Sequence, residues 1–233
     1  MKISSQKIIA HRGYSACYPD NTWAAIRAAK TAGAECCEMD LMLSADDEVV
    51  ICHDYYIGEH RIAEMTGGEA QKQLVDSPRF EELLDWAETQ QMELLLEVKD
   101  AQLLDRLANS LKNRDPDLIT IGSFHAPFLK AFKAVRPELV MSLMLGTVFS
   151  LEEMVLLSRR YQCDVVHPCW ESRAPYPHSL LSREAITRIH EAGLKVILWH
   201  EEREDELEHL LNLGVDGICT NEPERLKRMR DGL

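Results

Sequence analysis

The chain has no apolar run approaching the roughly 20 residues that cross a bilayer as a helix, so no integral membrane segment is expected. Met1 to Gln6 is polar and leads straight into a candidate strand, which leaves no apolar signal segment. Positive charge is scarce: 26 Lys and Arg stand against 39 Asp and Glu, a formal net charge of −13. That deficit speaks against a nucleic-acid binder, which needs clustered cations to neutralise phosphates. It does not exclude a small anionic substrate, because a pocket can reverse the sign locally. The cysteines offer no pairing pattern. Cys17, Cys36, Cys37, Cys52, Cys163, Cys169 and Cys219 are odd in number, none forms a CxxC pair, and most lie in apolar runs. Reduced thiols in the cytoplasm fit this better than a disulfide framework or a zinc knuckle. No Gly/Ser-rich linker, low-complexity tract or repeat divides the chain, so residues 1–233 read as a single domain.

With 45% hydrophobic residues the chain can bury a substantial core. Short apolar runs mark nine candidate strands: Ile8–His11, Cys36–Leu41, Val49–His53, Leu94–Val98, Ile119–Ser123, Val140–Leu145, Asp164–His167, Lys195–Trp199 and Gly217–Thr220. Amphipathic segments alternate with them, with Asn21 read as the start signal of the first and Gly193 and Gly214 as stop signals of later ones. Only the seven residues Met42–Glu48 separate the second and third strands. A parallel crossover needs about a dozen, so these two strands should form an antiparallel hairpin folded about Ala45–Asp47, with His53 opposite Asp40. Eight parallel strands remain. The expected fold is an α/β (β/α)8 TIM barrel with an extra β-hairpin after the second barrel strand.

Several strands end in ionisable residues. Glu38 and Asp40 are two apart and project to the same face, and two adjacent carboxylates are unfavourable without a cation. Adding Glu97 from the next barrel strand gives three hard oxygen donors, which suit Mg2+ or Ca2+. The plain alternative is a pair of solvated acids on an exposed edge. His11 and His53 close converging strands, and a pair of imidazoles supplies an acid and a base; a single one would more often be structural. Arg12 and Lys99 supply fixed positive charge for an anionic oxygen, or pair with an acid structurally. Trp199 at the mouth either shapes a pocket or packs in the core. The Gly214–Gly217 stretch with Asn221 and Pro223 reads as a strand entry followed by a helix cap; a phosphate site at that helix N-terminus is the alternative, and the cap reading suffices.

The ordered fragments HRG (His11–Gly13), PDNT (Pro19–Thr22), GAECCEMD (Gly33–Asp40), HD (His53–Asp54), LLLEVK (Leu94–Lys99), SF (Ser123–Phe124), AGLKVILWH (Ala192–His200) and GVDGICTNEP (Gly214–Pro223) resemble the glycerophosphodiester phosphodiesterase family. The resemblance covers essentially the whole chain. It implies a barrel of the phosphatidylinositol-phosphodiesterase type that hydrolyses a small glycerophosphodiester to sn-glycerol 3-phosphate and an alcohol. By matching positions it puts His11 and His53 in the acid/base roles, Glu38, Asp40 and Glu97 on a divalent metal, and Arg12 and Lys99 on the phosphate.

The chain also departs from the family pattern. Asp20 replaces the usual Glu, WHEE (Trp199–Glu202) replaces Trp-Thr-Val-Asn, and YYIGEHRIAEMTGGE (Tyr55–Glu69) follows the HD in a shortened insertion. These changes spare the chemistry and alter the pocket rim. Two other readings follow: a phosphodiesterase directed at lysophospholipids, which needs an apolar strip beside the site, and a non-catalytic barrel that binds phosphodiesters or metal. The second has no need of two histidines.

Overall fold

The computed structural model describes residues 6–171 and 173–232; all of the polar opening segment except Gln6 lies outside them. The strands are β1 (Lys7–His11), β2 (Cys36–Leu43), β3 (Val49–Ile51), β4 (Tyr56–Ile57), β5 (His60–Arg61), β6 (Glu93–Val98), β7 (Ile119–Ser123), β8 (Val140–Leu145), β9 (Val165–Pro168), β10 (Lys195–Leu198) and β11 (Gly217–Thr220). The helices are α1 (Trp23–Thr31), α2 (Gly67–Gln73), α3 (Phe80–Gln90), α4 (Leu104–Ser110), α5 (Ala126–Val135), α6 (Leu151–Arg160), α7 (Arg183–Glu191), α8 (Glu204–Leu213) and α9 (Pro223–Asp231).

Strand order β1-β11-β10-β9-β8-β7-β6-β2 is parallel throughout, and β1 pairs with β2 to close a barrel of eight strands. This is the expected (β/α)8 architecture. The extra strand β3 pairs antiparallel with the far end of β2, as the short Met42–Glu48 connection requires. Its register pairs Leu41 with Ile51 and Met42 with Val50. The backbone N–H of Cys52 then donates to the Asp40 carbonyl at 3.1 Å. Cys52, and not His53, therefore stands opposite Asp40, a slip of one residue from the expected pairing.

Alternation along the strands sorts the side chains into two layers. Ile8, Ala10, Cys37, Met39, Leu41, Leu94 and Leu96 face the helices and join the main core. Ile9, Cys36, Leu95 and Cys219 face inward and pack with Ile197 and Trp199 to fill the barrel. The inward rows run on into polar residues at the carboxyl ends of the strands. Register sets His11 beside Glu38 and Asp40 beside Glu97. Among the described residues no helix is long and apolar enough to cross a membrane.

Candidate active site

The inward rows of β2 and β6 place Glu38, Asp40 and Glu97 together, each offering a carboxylate oxygen within 4.8 Å of the others. All three are buried. Lys99 reaches back over the cluster, its Nζ 3.0 Å from Asp40 Oδ1 and 2.8 Å from Glu97 Oε1. Arg12 Nε lies 3.3 Å from Asp40 Oδ2. Burial pushes the Glu38 carboxyl well above its usual range, and the negative charges of Asp40 and Glu97 push it further. Burial opposes ionisation of Asp40 as well, but Lys99, Arg12 and the amide of Asn21 together hold it below its usual value.

With all three carboxyls ionised their charge would exceed that of the two cations, which is what drives the Glu38 pKa up, and buried Glu38 Oε1 has no hydrogen-bond partner. A hard divalent cation suits both features: it takes oxygen donors and neutralises the surplus. The donor set therefore fits a metal on the structure's own terms.

The turn after β1 brings Arg12 into this cluster. Arg12 and Asn21 both have a φ of 56°, in the left-handed region. Between them Gly13 has a φ of 82°, and a Cβ there would lie 2.7 Å from the Ala25 carbonyl carbon. Only glycine passes so close to α1. The turn aims the Arg12 backbone N–H at Glu38 Oε2, 3.0 Å away, and the Arg12 carbonyl accepts from the Asn21 backbone N–H at 3.0 Å. Asn21 does not cap α1. Thr22 does, accepting from the Ala25 N–H at 3.2 Å, while the Asn21 amide donates to Asp40 Oδ2 at 2.9 Å. The buried carboxylate recruits the residue that local pattern assigned to the helix.

His11 stands at the cluster's edge, its Nε2 4.0 Å from Glu38 Oε2. Its Nδ1 lies 2.7 Å from Asn221 Oδ1, which also accepts the Ser15 hydroxyl at 2.8 Å. Trp199, half-buried against the inner core, donates its indole N–H to His11 Nε2 at 3.1 Å. The ring of His200 stacks on His11 with centroids 4.8 Å apart. Glu202 accepts from His200 Nδ1 at 2.9 Å and from the Asn221 backbone N–H at 2.7 Å. Burial, then Arg12 and His200, depress the His11 pKa to about 3, so the imidazole is neutral.

His53 is placed differently. β3 ends at Ile51, and His53 lies in the following bend with its side chain 39% exposed and Nδ1 2.8 Å from Asp54 Oδ1. It stays near enough for its positive charge, when protonated, to act on Glu97. A cavity of about 320 Å3 opens beside the acids, lined by Tyr55, Glu97, Lys99, Ser123, Phe124 and His125.

Local pattern gives Ser15 and Glu202 no role, marks His200 only as a weak strand-end candidate, and reads Asn21 and Asn221 as helix-start signals. Parity points to Asn221, which follows inward Cys219 by two; its reading as part of a helix cap hid this. Glu222 is the residue before α9, and it makes no side-chain cap bond.

A parallel barrel that gathers acids, an arginine and a buried imidazole at one end of its sheet belongs to the class of barrels with their chemistry at the carboxyl ends of the strands. The family model described as the glycerophosphoryl diester phosphodiesterase family matches residues 11–101 and 72–225. The chain belongs to that family. It is 26% identical to the glycerophosphodiester phosphodiesterase of Caldanaerobacter subterraneus subsp. tengcongensis over 251 residues, covering 94% of this chain and 95% of that protein. A phosphodiesterase of Oleispira antarctica, solved with its product sn-glycerol-3-phosphate, superposes with a TM-score of 0.82 at 24% identity, covering 97% of this chain and 96% of that one. A Thermotoga maritima glycerophosphodiester phosphodiesterase gives 0.81 at 21% identity, covering 96% and 98%. At these identities the two structures establish likeness of fold.

Proposed function

We propose that the chain hydrolyses glycerophosphodiesters to sn-glycerol 3-phosphate and an alcohol, using a divalent cation held by Glu38, Asp40 and Glu97. The juxtaposition of that buried acid cluster with neutral His11, 4.0 Å from Glu38, carries the reading. Mg2+ and Ca2+ both match the all-oxygen donor set. Once bound, the cation supplies Lewis-acid stabilisation of charge on the phosphate oxygens.

Arg12 and Lys99 flank the same acids and bind the remaining phosphate oxygens. His11 is neutral, and its Nε2 lone pair, once released from the Trp199 indole, takes the proton of the attacking oxygen; the ring so protonated returns one to the leaving alkoxide. His53, exposed at the mouth and paired with Asp54, fills the complementary role. An alkoxide is a poor leaving group at neutral pH, so its protonation contributes about 10²–10⁴-fold. Trp199 holds the His11 ring and, with Phe124 at a 5.6 Å ring separation, forms an aromatic wall for the substrate. Residues 1–233 act as one catalytic unit. All seven cysteines are free and five are buried, which fits the reducing cytoplasm.

Phosphorus NMR of glycerophosphocholine incubated with the protein and Mg2+ or Ca2+ tests the reaction. Conversion of the diester resonance to that of glycerol 3-phosphate supports it; an unchanged diester under both metals contradicts it.

A further inference from the structure

His200 and Glu202 belong to WHEE, the stretch after β10 that departs from the family pattern, and both bear on His11. Glu202 is where two separate holds on that ring converge. One runs through His200, whose Nδ1 donates to Glu202 Oε2 at 2.9 Å and whose ring stacks on His11 at an interplanar angle of 21°. The other runs through Asn221. Its backbone N–H donates to Glu202 Oε1 at 2.7 Å, and its side-chain Oδ1 accepts from His11 Nδ1 at 2.7 Å. The first hold covers a face of the imidazole, and the second grips its edge.

Glu202 is itself fixed at both ends of its backbone. Its N–H donates to Glu201 Oε1 at 2.9 Å, and its carbonyl accepts from Arg225 Nη1 at 2.9 Å. Glu201 is buried, and its own N–H donates to the Cys219 carbonyl of β11 at 3.2 Å. The carboxylate is thus tied to the barrel sheet. Burial opposes its ionisation, but His200, the Asn221 N–H and the Thr220 hydroxyl hold its pKa below the usual carboxylate range. It is an ionised acceptor at neutral pH, and hydrogen bonds to an ionised group are the stronger kind. The Trp199 N–H alone would leave the His11 ring free to tilt about one contact. The stack removes the tilt, and Asn221 removes the ring flip.

We infer that Glu202 is a positioning residue for His11, fixing the plane and the rotation of the imidazole at one remove, through His200 and Asn221. The effect on rate rests on the phosphodiesterase reading above; the effect on the ring does not.

The test is a double-mutant cycle of Glu202→Ala and His11→Ala. Rates are measured on glycerophosphocholine with Mg2+ or Ca2+, and nitrogen-15 spectra of the His11 ring are recorded without substrate. Glu202→Ala alone should lower kcat by up to about 100-fold, the effect of misplacing a reacting group by ~1 Å, with KM little changed. In the His11→Ala background the same change should lower the rate by no more than about twofold, because its route of action is gone. The His11 spectrum should change from a single Nδ1–H form to a mixture in Glu202→Ala. Glu202→Gln keeps an oxygen for the Asn221 N–H and loses the charge facing His200, so both effects should shrink. It replaces Glu202→Ala in the cycle if that variant is unfolded by circular dichroism. A wild-type kcat with a wild-type His11 spectrum, or an equal loss of rate in both backgrounds, overturns the positioning role. No turnover by the wild type overturns the phosphodiesterase reading, and the His11 spectra then decide the positioning role by themselves.

Discussion

The indole N–H of Trp199 points at Nε2 of His11 across 3.1 Å, and an indole can only donate. His11 Nε2 therefore carries a lone pair, and its proton sits on Nδ1, where Asn221 Oδ1 accepts it at 2.7 Å. Trp199 and Asn221 together select one tautomer of a neutral ring. Nε2, the nitrogen nearest Glu38, is the ring's acceptor, and the indole N–H occupies it in this structure.

Asn221→Ala should mix the His11 tautomers. Losing a buried hydrogen bond costs about 1–3 kcal/mol, equivalent to a fall in kcat of roughly 5- to 160-fold. Nitrogen-15 NMR of the His11 ring should change from a single Nδ1–H form to a mixture. An unchanged tautomer with reduced kcat would assign Asn221 some other role.

Gly13→Ala meets both the left-handed backbone and the Ala25 carbonyl carbon at 2.7 Å. Forcing a side chain there costs about 1–3 kcal/mol, a fall in Tm of roughly 2–12 °C for a chain of this size. Differential scanning calorimetry measures it. A Tm equal to wild type would mean that the turn holding Arg12 tolerates a Cβ.

Metal should bind the folded chain and stabilise it. At about 100 times Kd, Mg2+ or Ca2+ contributes ~2.7 kcal/mol, read as a rise in Tm that saturates with metal. Glu97→Gln should abolish most of that rise. A variant that keeps the full shift would place the metal elsewhere.

Acid stability should report on His167, fully buried on the inner row of β9 with Nδ1 3.2 Å from the Ser142 hydroxyl. Burial depresses its pKa to about 3, whereas the unfolded chain titrates near 6.5. Between those values the unfolded state binds a proton that the folded state does not. Stability therefore falls as pH drops through that window, by up to ~1.4 kcal/mol per pH unit from this one group. Urea denaturation of His167→Leu across pH 6.5 to 5 should show a shallower slope than wild type. Equal slopes would contradict the assignment.

The barrel was legible in the sequence because its strands are apolar and short, and their helices are amphipathic. The hairpin was legible because Met42–Glu48 is too short for a crossover. β4 and β5 were not: Tyr56–Ile57 and His60–Arg61 are two-residue strands, largely exposed, with no apolar period to detect. α2 hid behind Gly67 and Gly68, both weak helix formers, although Thr66 and Glu69 form a full capping box. At the site, alternation foretold which acids point inward. It did not foretell Asn21, whose amide is claimed by Asp40 from another element. Nor did it reach Glu202, and it marked His200 only weakly, because both lie past the end of β10 where alternation ceases to apply. The offset at His53 is one of counting: a hairpin folded about Ala45–Asp47 already sets Cys52 opposite Asp40, the register observed, and His53 falls one residue further on in the bend after β3.

The central claim is that the acid cluster and His11 work as one phosphodiesterase site. Its most direct test is the rate of glycerol 3-phosphate release from glycerophosphocholine by wild type and His11→Ala, each with Mg2+ or Ca2+ and with EDTA. Metal-dependent release by wild type, abolished by EDTA, with His11→Ala slowed about 10²–10⁴-fold and still folded by circular dichroism, is the predicted result. Release that persists in EDTA, or a His11→Ala rate equal to wild type, would contradict it.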